Sequence, residues 1–236
     1  MATYHQQIYA IDVAVGMIRE ALKKSGNDKN TVIIYTSDNG FFCGSHGYGS
    51  KVLPYEESSR VPLIIYDPRH PNSGKKQRTS ALTGNIDFAP TILSLAGISS
   101  PENMDGKNLM TVYDKPTSSL HQSLPLINVW GKEPTHALGV VAEEMKYLYW
   151  GYAEKGFNPS NELYDLKKDP LEKSNQFSSS EYTKARKKMQ KLYDQHLAHW
   201  KESAVAYNNY QIFGVLFDRK LEWDEKLKRV KNHSFN

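Results

Sequence analysis

TVIIYTSDNGFFCGSHGYGSK, residues 31–51, joins an apolar run to a loop that holds an Asp-Asn pair, four glycines, a cysteine, a histidine and a terminal lysine. The run is rich in β-branched residues and unbroken by polar ones, the pattern of a strand covered on both faces of a parallel sheet. Ahead of it, Ile8, Ile11, Val15, Ile18 and Leu22 recur at spacings of three and four. That spacing predicts a helix from about Thr3 to Lys24, stopped at Ser25-Gly26-Asn27. A helix feeding a buried strand is half of a βαβ unit, and open α/β sheets bind ligands beyond the carboxyl ends of their strands. The glycine-rich loop stands at that end.

Asp38 and Asn39 offer a carboxylate and an amide carbonyl, hard oxygens that suit Ca²⁺ or Mg²⁺. Gly40, Gly44, Gly47 and Gly49 allow positive φ and close backbone approach. Lys51 brings a point charge suited to a sulfate or phosphate oxygen. An Asp-Asn-Gly after a strand is also an ordinary turn, and a lysine near glycines is also an ordinary solvated charge; on the residues alone both readings stand. Cys43, between Phe42 and Gly44, reads as a small buried hydrophobe. As a nucleophile it would need a base, and His46 is the only local group that could serve, although a histidine is more often a structural or surface residue than a ligand. The candidates are thus Asp38 and Asn39 for a metal, Lys51 and His46 for catalysis.

Further along, RVPLIIYDP reads as a second buried strand and TSALTGN as a third. IDFAPTILSLAGI predicts a helix with Pro90 in its first turn and Gly97 closing it. From about residue 115 the texture changes: SLPLINVW, HALGVVAE and MKYLYWGY are short strands split by turn residues, as in an antiparallel sheet. NELYDLKKDP is a turn motif. Ser180 to about Lys201 is a basic amphipathic helix with Met189, Leu192, His196 and Trp200 on one face. A tail with Tyr207, Tyr210, Phe213 and Trp223 is expected to pack back on the body. The fold class is therefore α/β: part of a mainly parallel sheet flanked by helices over residues 1–115, then a smaller α+β domain with an antiparallel sheet and helical tail over residues 116–236.

Composition narrows the function classes. A formal charge of +4 with scattered lysines and arginines gives no footprint for nucleic acid. One cysteine, Cys43, excludes an internal disulfide. No apolar run approaches the roughly 20 residues a spanning helix needs. Met1 leads straight into ATYHQQIYAIDVAVG, which reads as a folded element and not as a signal peptide. An opening inside a helix predicts that the chain is part of something longer.

Four blocks in order, YAIDVAVGMIREALKKSGNDKNTVIIYTSDNG, GSHGYGSKVLPYEESSRVPLIIY, GNIDFAPTILSLAGISSPENMDGKNL and MKYLYWGY with NELYDLKKDPLEKSNQ, resemble the second half of a type I sulfatase. That formylglycine-dependent family belongs to the alkaline phosphatase superfamily. The resemblance implies a large α/β domain followed by a smaller domain with an antiparallel sheet. It implies Asp38 and Asn39 as ligands of a divalent ion, usually Ca²⁺, and Lys51 as a contact to the sulfate oxygens. The implied partner is a sulfated small molecule or carbohydrate, in a family often periplasmic, secreted or lysosomal. Glu56, Glu57 and Arg60 are expected to form structural ion pairs, and His136 lies in a region that approaches the substrate pocket in some related enzymes.

Two departures qualify the resemblance. Sulfatases attack with a formylglycine made in a Cys/Ser-x-Pro/Ala-x-Arg motif, and Cys43 is followed by Gly44-Ser45-His46 instead. The family's other metal carboxylates and cationic residues come from the half that precedes this region. The expectation is a half-site that need not retain its ion and does not turn over by itself. Two alternatives stay open: a phosphodiesterase or phosphonate hydrolase of the same superfamily, and a non-catalytic module that associates through an exposed sheet edge.

Overall fold

The computed structural model describes residues 2–130, 135–153, 156–205 and 209–231. The chain divides into two compact units, one of Met1–Asp38, Val61–Ala81 and Asn85–Leu120, the other of Asn39–Arg60, Leu82–Gly84 and His121–Asn236.

In the first unit, helix α1 (Ala2–Lys24) stops at the expected breaker. Gly26 turns to φ +72, and the Asn27 N–H reaches back to the Leu22 carbonyl at 3.0 Å, a closure that favours glycine at the left-handed position. The apolar stripe of α1 is not buried within this unit: Ile8, Ile11 and Ile18 are exposed, Val15 and Leu22 partly covered. Strand β1 (Ile33–Thr36) pairs with β2 (Leu63–Tyr66), and the pairing is antiparallel, with Ile33 opposite Tyr66. This corrects the expectation of a mainly parallel sheet, because the described residues of this unit form a two-stranded antiparallel ribbon. Parallel neighbours need a crossover, usually a helix laid on the sheet; here the intervening chain holds only a 3₁₀ turn at Ser45–Gly47 and the single-turn helix α2 (Glu56–Ser59). β1 is half-buried throughout and β2 alternates, with Ile64 and Tyr66 exposed.

TSALTGN forms no strand. Thr79 spends its hydroxyl on the Pro116 carbonyl, and its oxygen accepts the Ala81 N–H, a local pattern that competes with a sheet ladder. Helix α3 (Phe88–Leu95) has Pro90 in its first turn and Gly97 at φ +73 after its end. With α4 (Met110–Asp114) it frames a small core of Leu109, Val112 and Leu120, on which Leu63, Ile65 and Phe88 pack.

The second unit is built on a four-stranded antiparallel sheet: β3 (Leu124–Asn128), β4 (Ala137–Ala142), β5 (Met145–Trp150) and β6 (Ser160–Asp165), adjacent in chain order. The first three are the expected strands; β6 lies inside the stretch read as turns. Helix α5 (Thr183–Ser203) covers one face, burying Met189, Leu192, Tyr193 and Leu197 against Leu138, Val140, Tyr147 and Tyr149. Each such side chain contributes about 1.5–3 kcal/mol on burial. Helices α6 (Gln211–Leu216) and α7 (Trp223–Lys231) close that core with Phe213, Leu216 and Phe217, so the tail packs back as expected, although Tyr207 lies outside the described residues. Side chains alternate along a strand, so Lys146 and Trp150 of β5 and Glu162 and Tyr164 of β6 face the other way. There they meet the loop from Asn39 to Arg60. Among the described residues no helix is long and apolar enough to cross a membrane.

Candidate functional site

The loop after β1 is shaped by backbone contacts first. The Gly40 N–H donates to the Ser58 carbonyl at 2.8 Å. A Cβ on Gly40 would stand 2.0 Å from the Glu57 carbonyl oxygen, so only glycine fits there. Phe42, 1% exposed, anchors the loop, with the rings of His46, Tyr48 and Tyr55 edge-on around it. Cys43, Gly44, His46 and Gly47 all have positive φ, which coils the chain tightly between Phe42 and Tyr48. Val52, at φ +98, is the most strained of these positions, since a β-branched side chain crowds its own backbone there.

Two of the four candidates meet directly. Lys51 Nζ donates to Asn39 Oδ1 at 2.8 Å, while Asn39 Nδ2 donates to the Gly40 carbonyl at 2.8 Å. The carboxamide is thus fixed with its oxygen toward a cation. Asp38 is the last residue of the first unit and is exposed; its backbone carbonyl accepts from Asn85 Nδ2 at 3.1 Å, and its Oδ1 lies 3.5 Å from the Ser37 hydroxyl. A carboxylate and an amide oxygen on consecutive residues fit a hard divalent ion by type. Ca²⁺ takes about six to eight oxygens, so two side-chain oxygens would be no more than part of a coordination shell.

His46 sits elsewhere in the loop's chemistry. Its ring stacks on Tyr55 at 4.5 Å and 14°, and its Nε2 lies 3.5 Å from Glu57 Oε2, a buried oxygen with no hydrogen bond among the described residues. Cys43 is half-buried at φ +52. The donor atoms of His46, Glu57 and Glu172 fall within 4.8 Å of one another, but Glu172 is already committed to a cation. Lys146 Nζ, fully buried, lies 2.8 Å from both Glu172 Oε1 and Glu56 Oε1 and 3.1 Å from the Pro54 carbonyl. Glu172 Oε2 accepts the Glu56 N–H at 2.6 Å. Beside them the Tyr55 hydroxyl donates to Glu162 Oε2 at 3.0 Å. Burial pushes the Tyr55 phenol far above its ordinary value, and the Glu162 carboxylate adds to the shift.

Glu56 and Arg60 thus take part in ion pairs, Arg60 Nη1 lying 3.6 Å from Glu56 Oε2, while Glu57 faces the His46 ring. His136 is buried edge-on against Tyr152 and Phe213. Sequence reasoning passed over Lys146 and Glu172. A lysine inside MKYLYW was the available signal, since a charge in an apolar strand must find a partner.

The family model described as N-sulphoglucosamine sulphohydrolase, C-terminal, matches residues 44–199. The chain belongs to the sulfatase family, as a carboxyl-terminal portion. It is 32% identical over 211 residues to an N-acetylglucosamine-6-O-sulfatase of Bacteroides thetaiotaomicron, covering 86% of this chain and 36% of that protein. An arylsulfatase of Clostridium perfringens is 32% identical over 182 residues, covering 77% of this chain and 36% of the relative. The chain therefore spans little more than a third of these relatives. A solved structure in complex with its substrate D-Glucosamine-2-N, 6-O-disulfate aligns with a TM-score of 0.74 at 31% identity, over 83% of this chain and 40% of that one. A phosphonate monoester hydrolase of Agrobacterium radiobacter aligns at 0.65 and 26% identity, over 80% and 40%.

Proposed function

We propose that this chain supplies the carboxyl-terminal part of a sulfatase active site, with Lys51 facing the sulfuryl oxygens and Asp38 and Asn39 donating oxygens to Ca²⁺ or Mg²⁺. The observation that carries this reading is the 2.8 Å contact between Lys51 Nζ and Asn39 Oδ1. It joins the cation and the carboxamide that the loop's chemistry singles out.

Charge grows on the sulfuryl oxygens and the leaving oxygen as a sulfate ester is cleaved, and a fixed ammonium balances it without reorganising. Lys51 would do this from its place against Asn39. A divalent ion, when bound, adds positive charge at the same oxygens. His46, engaged by Tyr55 and Glu57, is better suited to hold the loop than to move a proton. The whole protein's substrate is proposed to be a sulfate ester on a carbohydrate; the amino-sugar sulfates named for a curated relative and in a similar solved structure support that class. Without a Cys/Ser-x-Pro/Ala-x-Arg motif the chain alone has no nucleophile of the family's kind.

The test is an assay of the full chain on N-acetylglucosamine 6-sulfate, with calcium-dependent melting of wild type and Asp38→Ala. The expected result is no sulfate release and a calcium gain in melting temperature larger in wild type. Sulfate release would overturn the missing-nucleophile argument, and equal calcium gains would overturn the ligand assignment.

Two other readings have support of their own. The likeness to the phosphonate monoester hydrolase favours a phosphonate or phosphodiester as the whole protein's substrate, since Lys51 and a hard ion serve either oxyanion. Exposed Ile8, Ile11 and Ile18 on α1 and Ile64 and Tyr66 on β2 favour self-association; a monomer on sizing would count against it.

A further inference from the structure

We infer that Ser58 is a positioning residue for the Asn39–Lys51 pair, fixed from below by the buried Lys146–Glu172 ion pair. The inference rests on the reading of Lys51 as an oxyanion-binding group.

Ser58 is 5% exposed and uses two of its oxygens on the loop. Its carbonyl accepts the Gly40 N–H at 2.8 Å, and its hydroxyl oxygen accepts the Val52 N–H at 2.9 Å. Gly40 directly follows Asn39, and Val52 directly follows Lys51. One buried residue therefore ties down the backbone on the carboxyl side of both members of the pair. Left untethered, an exposed lysine and carboxamide twelve residues apart would gain little from meeting, because ordering a long side chain at the surface offsets most of the attraction. The positive φ of Val52 fits this account: an unfavourable backbone persists only where its surroundings over-determine it, and the Ser58 hydroxyl is the group that holds its N–H.

Ser58 is itself set by rigid structure. It belongs to α2, whose first N–H, that of Glu56, donates to Glu172 Oε2. Glu56 Oε1 and the Pro54 carbonyl both face Lys146 Nζ, which rises from β5 in the interior of the four-stranded sheet. The chain of contacts thus runs from sheet to Lys146, to α2, to Ser58, and on to the backbone beside Asn39 and Lys51. Functional groups are held more accurately when the residues that support them are locked to regular elements.

The test reads the pair itself by NMR of the full chain. Lys51→Met should move the side-chain amide resonances of Asn39 in the wild-type background. In the Ser58→Ala background the same change should move them about threefold less or weaker still, the loss of coupling a double-mutant cycle detects. Ser58→Thr, which keeps the hydroxyl, should restore the effect. An equal response in the Ser58→Ala background overturns the inference. Hydrogen exchange on the wild type needs no variant to fold: the Val52 amide should be protected like those of Gly40 and Glu56, and free exchange at Val52 overturns the inference equally. Inorganic sulfate separates the two levels. Should sulfate leave Lys51 unmoved while Ser58→Ala still uncouples Asn39 from Lys51, the positioning stands and the oxyanion reading falls.

Discussion

The ammonium of Lys146 and the carboxylate of Glu172 meet at 2.8 Å with neither side chain open to solvent. Burial pushes the Glu172 carboxyl up, and the ammonium beside it opposes that shift. Glu172 itself sits at φ +50, in the left-handed region that favours glycine. Glu56 Oε1 also lies 2.8 Å from the ammonium, so it is removal of Lys146 that leaves the Glu172 carboxylate buried and uncompensated, which costs about 3–5 kcal/mol. Lys146→Met should therefore lower the urea midpoint strongly, while Lys146→Met with Glu172→Leu should recover part of the loss. A single-variant loss below about 1 kcal/mol would show that solvent reaches the pair.

Gly40 and Gly49 make a matched contrast. An added Cβ meets the Glu57 carbonyl oxygen at 2.0 Å at Gly40 and nothing within 4 Å at Gly49. Gly40→Ala should cost about 1–3 kcal/mol and weaken the Lys51–Asn39 contact, and Gly49→Ala should lie within about 0.5 kcal/mol of wild type. Denaturant unfolding of both reads this directly.

Val52→Gly relieves a left-handed backbone worth about 1–3 kcal/mol while adding about 0.5–1 kcal/mol of unfolded-chain freedom. A small net rise in melting temperature is expected, and a clear fall would mean that the valine side chain contributes packing the loop needs.

Lys226 on α7 is buried, with Nζ at 2.8 Å from both the Tyr149 hydroxyl and the Leu216 carbonyl. Burial pulls its pKa down to about 8, against the opposing pull of Asp218 and Glu222. The folded chain releases this proton near pH 8, whereas the unfolded chain keeps it to about pH 10.4. Between those values the unfolded state binds more protons, so the lysine's contribution to stability rises with pH, by at most about 1.4 kcal/mol per unit. Unfolding of wild type compared with Lys226→Met from about pH 7 to pH 10 should show that slope; a flat or falling difference would contradict it.

Much of this was legible in the residues, and what was not has a physical cause. Pro90 and Gly97 bracket α3, and the apolar spacing of α5 marks its buried face, because those signals are local. β6 was hidden by its polarity: Asn161 accepts from the Tyr147 hydroxyl and Glu162 from Tyr55, partners no local window contains. An apolar run such as IIYT signals a strand but not the direction of its neighbour, so a parallel partner was expected where an antiparallel one stands. Asp38, Asn39 and Lys51 were marked by type and by their place after a strand. Ser58, Lys146 and Glu172 were not, since their roles exist only once the loop meets the sheet.

Titration with sodium sulfate tests the assignment of Lys51 most directly. Sulfate stabilises folded proteins in general by exclusion from their surfaces, so the comparison must be with Lys51→Met at matched ionic strength. Lys51 side-chain resonances are predicted to shift saturably with sulfate and not with chloride, and the wild type to gain more in melting temperature than the variant. Unmoved Lys51 resonances with equal melting gains in the two proteins would contradict the assignment.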